Sequence, residues 1–126
     1  MLKAKDIMMK RFVVVSDITE VQKVCKALMK NQLSGLPVVN AAKKLIGFIS
    51  ERDIIASACN CEIIKKKAKD IMVKNVISVK EDDSVQLVSK IFTEKPYRYI
   101  PVTKGGYLIG LVSRKQVINK LISQYY

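Results

Sequence analysis

Ser50 and Asp53 close the stretch Gly47-Phe48-Ile49-Ser50-Glu51-Arg52-Asp53 and are the side chains here most suited to chemistry. The apolar residues of a strand end at the serine, and a helix begins after it. Such a turn points unpaired backbone N–H groups at whatever lies above it. The Asp53 carboxylate adds a group able to grip a pair of hydroxyls. The construction returns at Gly110-Leu111-Val112-Ser113-Arg114-Lys115-Gln116, with glutamine in the place of the aspartate. A glutamine amide bonds one hydroxyl but lacks the charge that strengthens a diol clamp. Both turns are also sound helix starts with no ligand at all: serine caps, and an acidic residue or glutamine follows in the first turn. The residues alone leave capping and ligand recognition both open.

The elements that must position these turns are written twice. Ala4-Lys5-Asp6-Ile7-Met8 recurs letter for letter as Ala68-Lys69-Asp70-Ile71-Met72. At the same offset Val15 meets Val79, Gln22 meets Gln86, and Pro37-Val38 meets Pro101-Val102; one residue is then lost, so that Ser50 meets Ser113. A repeat of this kind is a tandem duplication, with repeats over residues 1–64 and 65–126. Each copy reads strand, helix, strand, strand, helix. In the first, Arg11–Val15 is a strand. Thr19 with Gln22 opens a helix in capping-box spacing, with a stripe of Val21, Val24, Cys25, Leu28 and Met29. Leu36–Asn40 and Lys44–Ser50 are strands, and a helix from Glu51 to about Ser57 shows Ile54, Ile55 and Ala58 on one side. In the second, Asn75–Val79 is a strand, and Asp83 with Gln86 opens a helix lined by Val85, Val88, Ile91 and Phe92. Ile100–Thr103 and Leu108–Ser113 flank a Gly105-Gly106 hairpin turn. The closing helix buries Val117, Ile118, Leu121 and Ile122. Asp6 and Asp70 sit at helix starts and read as caps.

With 126 residues, 49% hydrophobic and 27% charged, the chain reads as one soluble globular unit. No apolar run approaches the ~20 residues a membrane span requires, and Met1-Leu2-Lys3-Ala4-Lys5-Asp6 lacks a signal-peptide core, so we expect a cytoplasmic protein and no membrane partner. There is no histidine, and Cys59-Asn60-Cys61 has no second cysteine pair, so no metal site is expected. The net charge of +12 attracts anions: phosphates, nucleic acid or an acidic partner. Solvated lysines on helix backs explain the same charge.

The set of landmarks, in order and duplicated, resembles a pair of CBS (cystathionine β-synthase) domains, the arrangement called a Bateman module. The matching residues are Asp6–Met8 and Asp70–Met72, the Leu-Pro-Val-Val and Ile-Pro-Val strands, and the Gly-x-x-Ser-x-x-Asp turn. The resemblance covers about residues 2–124. It implies an α/β (α+β) fold of two β-α-β-β-α units related by a pseudo-two-fold axis, with two clefts between their sheets. It also implies a regulatory rather than catalytic role, a homodimer, and an adenosine-containing ligand: AMP, ADP or ATP, with S-adenosylmethionine or NAD as further members of the class.

Carried over residue by residue, the resemblance places Ser50, Arg52 and Asp53 in one site, with Asp53 on the ribose hydroxyls. Val76 and Ile77 lie beside the adenine, and Arg98, Tyr99 and Pro101 form the facing wall. Arg98 offers a planar fork of donors to a phosphate, and Arg114 and Lys115 are neighbours for a longer phosphate chain. A weak or empty second site would take Phe12, Val13, Ser34, Leu36, Pro37, Ser113, Lys115 and Gln116. Two other readings stand beside it. One is a ligand-free scaffold for dimerisation or for an unidentified regulated protein. The other is a nucleic-acid binder, suggested by the charge and Lys65-Lys66-Lys67 but unsupported by any nucleic-acid motif. An enzyme is not expected, for want of a nucleophile motif or a phosphate loop.

Overall fold

A computed structural model describes residues 2–58 and 65–125, without the Tyr125 side chain; the expectations placed on Cys59 and Cys61 lie outside it. The chain forms two compact units: Val13–Val76, here the first unit, and Met1–Phe12 with Ile77–Tyr126, the second.

In the first unit, strand β1 (Val15–Ser16) pairs in parallel with β2 (Gly35–Val39), and β2 pairs antiparallel with β3 (Leu45–Ser50). Helix α2 (Val21–Asn31) makes the crossover, burying Val24 and Leu28 against Val15, Leu36, Val38 and Ile49. Gln32, in the left-handed conformation at φ 54°, ends it. Asn40 shapes the β2–β3 turn by accepting the N–H groups of Ala42 and Lys44, both at 3.0 Å.

The second unit repeats the plan with β4 (Val79–Lys80), α5 (Val85–Glu94), β5 (Tyr99–Lys104), β6 (Tyr107–Ser113) and α6 (Arg114–Tyr125). Even the bulge recurs, between Val38 and Val39 in one sheet and Val102 and Thr103 in the other. The shorter hairpin turns on Gly105 and Gly106, at φ 59° and 86°, the pair of positive values a two-residue loop requires. Val79, Val85, Val88, Ile100, Val102, Val112 and Val117 form its core.

The duplicated Ala-Lys-Asp-Ile-Met words form short helices, α1 (Ala4–Ile7) and α4 (Ala68–Ile71), and each enters a core built otherwise from the other copy. In the first unit the Val21 N–H bonds the Lys66 carbonyl, Ala68 N–H bonds Thr19, Lys69 N–H bonds Asp17, and Phe48 and Val73 exchange two bonds at 3.0 and 2.9 Å. In the second the same bonds join Val85 to Leu2, Ala4 to Asp83, Lys5 to Glu81, and Met9 to Leu111 in both directions at 2.8 and 3.1 Å. Asp6 and Asp70 each accept the N–H three residues back, Lys3 and Lys67, at 2.8 Å; they do so from the third position of each helix, while Lys3 and Lys67 occupy the cap positions. The compact units are therefore cut differently from the repeats at 1–64 and 65–126: the lead-in of each copy completes the sheet and core of the other.

Several local expectations are corrected. Thr19 and Asp83 do not cap. Their side chains turn back to accept the N–H groups of Ser16 (3.1 Å) and Lys80 (2.7 Å), so the helices start later, behind Glu20 and Ser84. Of these two, Ser84 supplies a side-chain cap, to Leu87 N–H at 3.1 Å. Strands expected at Arg11–Val15 and Asn75–Val79 shrink to Val15–Ser16 and Val79–Lys80, because pairing begins only where Val15 meets Val38 and Val79 meets Val102. Met29 is 82% exposed, and Ile55, Ala58, Ile118, Leu121 and Ile122 are exposed too, so these helices bury a narrower stripe than their composition suggests.

Candidate ligand site

At the end of β3 the chain leaves the sheet as Ser50, and helix α3 (Glu51–Ser57) begins at once. Three hydrogen bonds close the turn. The Ser50 N–H donates to Asp53 Oδ2 at 2.8 Å, the Ser50 hydroxyl donates to the same oxygen at 2.9 Å, and the Asp53 N–H donates to Ser50 Oγ at 3.3 Å. Serine and aspartate thus satisfy each other's orphan donors, with both carboxylate bonds falling on Oδ2. Asp53 and Ser50 are half-buried, and Arg52 is exposed beside them.

Gly47, three residues before Ser50, sets where this turn can stand. A methyl group on it would run into the Met72 side chain, 2.8 Å from its Cγ, and lie 3.1 Å from the Val73 carbonyl oxygen. Gly110, three residues before Ser113, receives Met8 in the same way. The lead-ins therefore seat a methionine directly on the strand that delivers each serine.

The second turn has the same bonds with an amide. Ser113 N–H donates to Gln116 Oε1 at 3.2 Å, the Ser113 hydroxyl donates to the same oxygen, and Gln116 N–H donates to Ser113 Oγ at 3.4 Å. Gln116 and Ser113 are half-buried and Lys115 is exposed.

The structure brings together Ser50 with Asp53 and Ser113 with Gln116. Of the other expected residues, Val13, Ser34, Leu36, Pro37 and Val76 belong to the first unit, and Phe12, Ile77, Arg98, Tyr99 and Pro101 to the second. Leu36 fills the core of its own unit, and Pro37 and Pro101 are fully buried in the sheets. The Ser34 carbonyl accepts the Glu51 N–H at 2.9 Å, which ties the β2 approach to the first turn. Arg98 is exposed in the last position before β5. Arg114 is already engaged: its Nε–H donates to the Tyr97 carbonyl at 2.9 Å, and its guanidinium lies 5.9 Å from the centre of the Phe92 ring. Sequence reasoning missed this engagement, and it missed the methionine seats as well. The seats had a signal, since Met and Gly are both duplicated; the arginine had none.

Among the described residues, no helix is long and apolar enough to cross a membrane and no cluster could hold a metal ion.

The model of the CBS domain family matches residues 4–59 and again 68–123. An uncharacterized protein of Methanocaldococcus jannaschii is 30% identical over 152 aligned residues, covering 94% of this chain and 90% of that protein. Inosine-5′-monophosphate dehydrogenase of the same organism is 29% identical over 119 residues, but the chain spans only 23% of its length. Two solved structures share the fold over nearly the whole chain. CBSX2 in complex with AMP has a TM-score of 0.90 at 25% identity, covering 98% of both chains. A CBS domain pair in complex with 5′-methylthioadenosine and S-adenosyl-L-methionine has a TM-score of 0.83 at 26% identity, covering 99% of this chain and 98% of that one.

Proposed function

We propose, from the premise that this chain belongs to the CBS domain family and carries two of its repeats, that it senses an adenosine-containing nucleotide and does no chemistry of its own. One observation carries the reading. Gln116 closes its turn with the same bonds as Asp53, so a carboxylate is not required to build the turn. The turn can close without the charge at Asp53, and a ribose diol is a partner that uses it. The AMP and S-adenosyl-L-methionine bound by the two structural relatives support an adenosine compound as the class.

In this reading Asp53 and Ser50 take the ribose, Val76 and Ile77 the base, and Arg98 the phosphate, with AMP, ADP or ATP as ligand. Gln116 marks the weaker of the two turns. Occupancy favours one conformation of the module, and a partner reads that conformation. The protein acts as a homodimer, and the exposed Ile118, Leu121 and Ile122 on α6 support that part.

Thermal shift with AMP, ADP, ATP, NAD and S-adenosylmethionine tests the proposal. A ligand at ~100 times its dissociation constant stabilises the folded state by roughly 2.7 kcal/mol, well within reach of such a measurement. At least one compound should raise the melting temperature. A folded chain that responds to none is a ligand-free scaffold. Sedimentation at micromolar concentration tests the dimer.

A further inference from the structure

The loop that carries Arg98 leaves α5 with the Lys95 N–H still on the Ile91 carbonyl at 2.9 Å. It runs from Lys95 to Arg98, between α5 and β5, and all four residues are exposed. Pro96 has no N–H to give, and Lys95 has already left the helix at φ −122°, ψ 148°. Arg114 supplies the restraint from 17 residues away in sequence. Its Nε–H reaches the carbonyl of Tyr97, immediately before Arg98, and its guanidinium lies over Phe92 in the helix that feeds the loop. One side chain thus ties the last turn of α5 to the loop, by a cation–π contact and by a charge-assisted hydrogen bond.

The first unit offers an internal comparison. Glu51 stands where Arg114 stands and has no side-chain donor, while Ser34 stands where Arg98 stands. Its loop is shaped instead by Gln32 in the left-handed conformation. Of the two equivalent loops, the one with the cation is the one with the staple.

We infer that Arg114 is a positioning residue for Arg98. In place of the direct reach toward a longer phosphate chain expected from the sequence, it holds the Tyr97–Arg98 peptide so that the Arg98 guanidinium is pre-ordered for a nucleotide phosphate. The inference rests on the ligand reading above.

The test compares wild type with Arg114→Ala, Arg114→Lys, Arg98→Ala and the double alanine variant, by calorimetric titration with adenosine, AMP and ATP. Arg114→Ala should weaken AMP and ATP roughly three- to tenfold and leave adenosine unchanged. Arg114→Lys should recover part of the loss, and the double variant should bind no worse than Arg98→Ala, because one residue acts through the other. Equal losses for adenosine and AMP, or additive losses in the double variant, overturn the inference. A second arm uses no ligand: trypsin cleavage at Arg98–Tyr99, followed by mass spectrometry against other sites in the chain, should be faster in Arg114→Ala. Nucleotide binding together with unchanged cleavage and unchanged AMP affinity in Arg114→Ala sinks the positioning role alone. Wild type that binds no adenine compound sinks the ligand reading and the phosphate role with it, and faster cleavage would then identify a purely structural staple.

Discussion

Asp53 and Gln116 do the same structural work: each returns a side-chain oxygen to the backbone N–H of its own serine, at 2.8 Å from Ser50 and 3.2 Å from Ser113. The two turns differ in charge and hardly at all in construction. Asp53→Asn therefore separates folding from recognition. The amide oxygen keeps the cap, as Gln116 demonstrates, so the melting temperature should move little. A hydrogen bond to a charged group exceeds a neutral one by about 1–2 kcal/mol, so AMP affinity should fall roughly 5- to 30-fold. Calorimetry and a thermal melt on one preparation give both numbers; unchanged AMP affinity would remove Asp53 from the site.

The converse substitution is Gln116→Glu, of equal length. It restores a carboxylate to a turn that already has the right backbone. The box should close as before, and the number of AMP molecules bound per chain in a calorimetric titration should rise. A stoichiometry that stays fixed, in a variant that melts normally, would mean that other residues close the second site.

Gly47 tests the methionine seat. A methyl group there meets the Met72 side chain and sits 3.1 Å from a backbone oxygen that cannot retreat freely. Overpacking of this kind costs about 1–3 kcal/mol. Gly47→Ala should lower the melting temperature by several degrees. Because Met72 is the larger obstacle, Met72→Ala in the same chain should return part of the loss. Urea titration of both single variants and the double variant measures the coupling; strict additivity would show that the two residues do not meet.

Lys3 and Lys5 hold the first lead-in through Asp82, at 3.5 and 3.3 Å. The hydrogen bond and charge of Lys5, joined by Lys3, keep the Asp82 carboxyl below its ordinary value of 3.8. A carboxyl depressed in the folded state contributes stability that is present above its unfolded pKa and is lost as pH falls through the lower folded one. Asp82→Asn should therefore melt slightly below wild type near pH 7, and the two melting curves should converge in acid. Both ion pairs are exposed, so added salt should shrink the difference at pH 7 as well. Ile18 stands in the equivalent place of the first unit, where the lead-in has no such acid. A gap that persists unchanged into acid would refute the assignment.

How far the sequence reached is visible residue by residue. The Ser50 cap, helix Glu51–Ser57 and the Gly105-Gly106 turn were legible because each is decided by neighbours within four positions. Thr19 was misread by the same local logic: a hydroxyl before a helix has two N–H groups in reach, and Ser16 won. Periodicity marked Ile118, Leu121 and Ile122 as one apolar face, but it carries no information about what covers that face. The Arg114–Tyr97 bond spans 17 residues and leaves no pattern at all. Hardest to foresee was the destination of the duplicated words. Identity at a fixed offset says that two docks are alike, and does not say which copy each word enters.

That destination makes the last prediction. Residues 2–9 belong to the second unit, although repeat order would assign them to the first copy. Their removal takes from β6 the Met9 carbonyl that accepts Leu111 N–H at 3.1 Å, and from α5 the Leu2 carbonyl that accepts Val85 N–H at 3.1 Å. It also leaves the holes vacated by Ala4 and Ile7 in a core otherwise made of residues 79–117. The unit between Val13 and Val76 keeps its own lead-in, Lys66–Val73, and every bond that lead-in makes. Hydrogen exchange on a chain starting at Lys10 should therefore show fast amides at Leu111 and Val85, with a loss of protection spreading through β5 and β6. Phe48 and Val21, the equivalent amides of the first unit, should stay protected. Local openings of this kind follow the contacts removed and not the distance along the chain. Loss at Phe48 with Leu111 intact would mean that each lead-in serves its own copy.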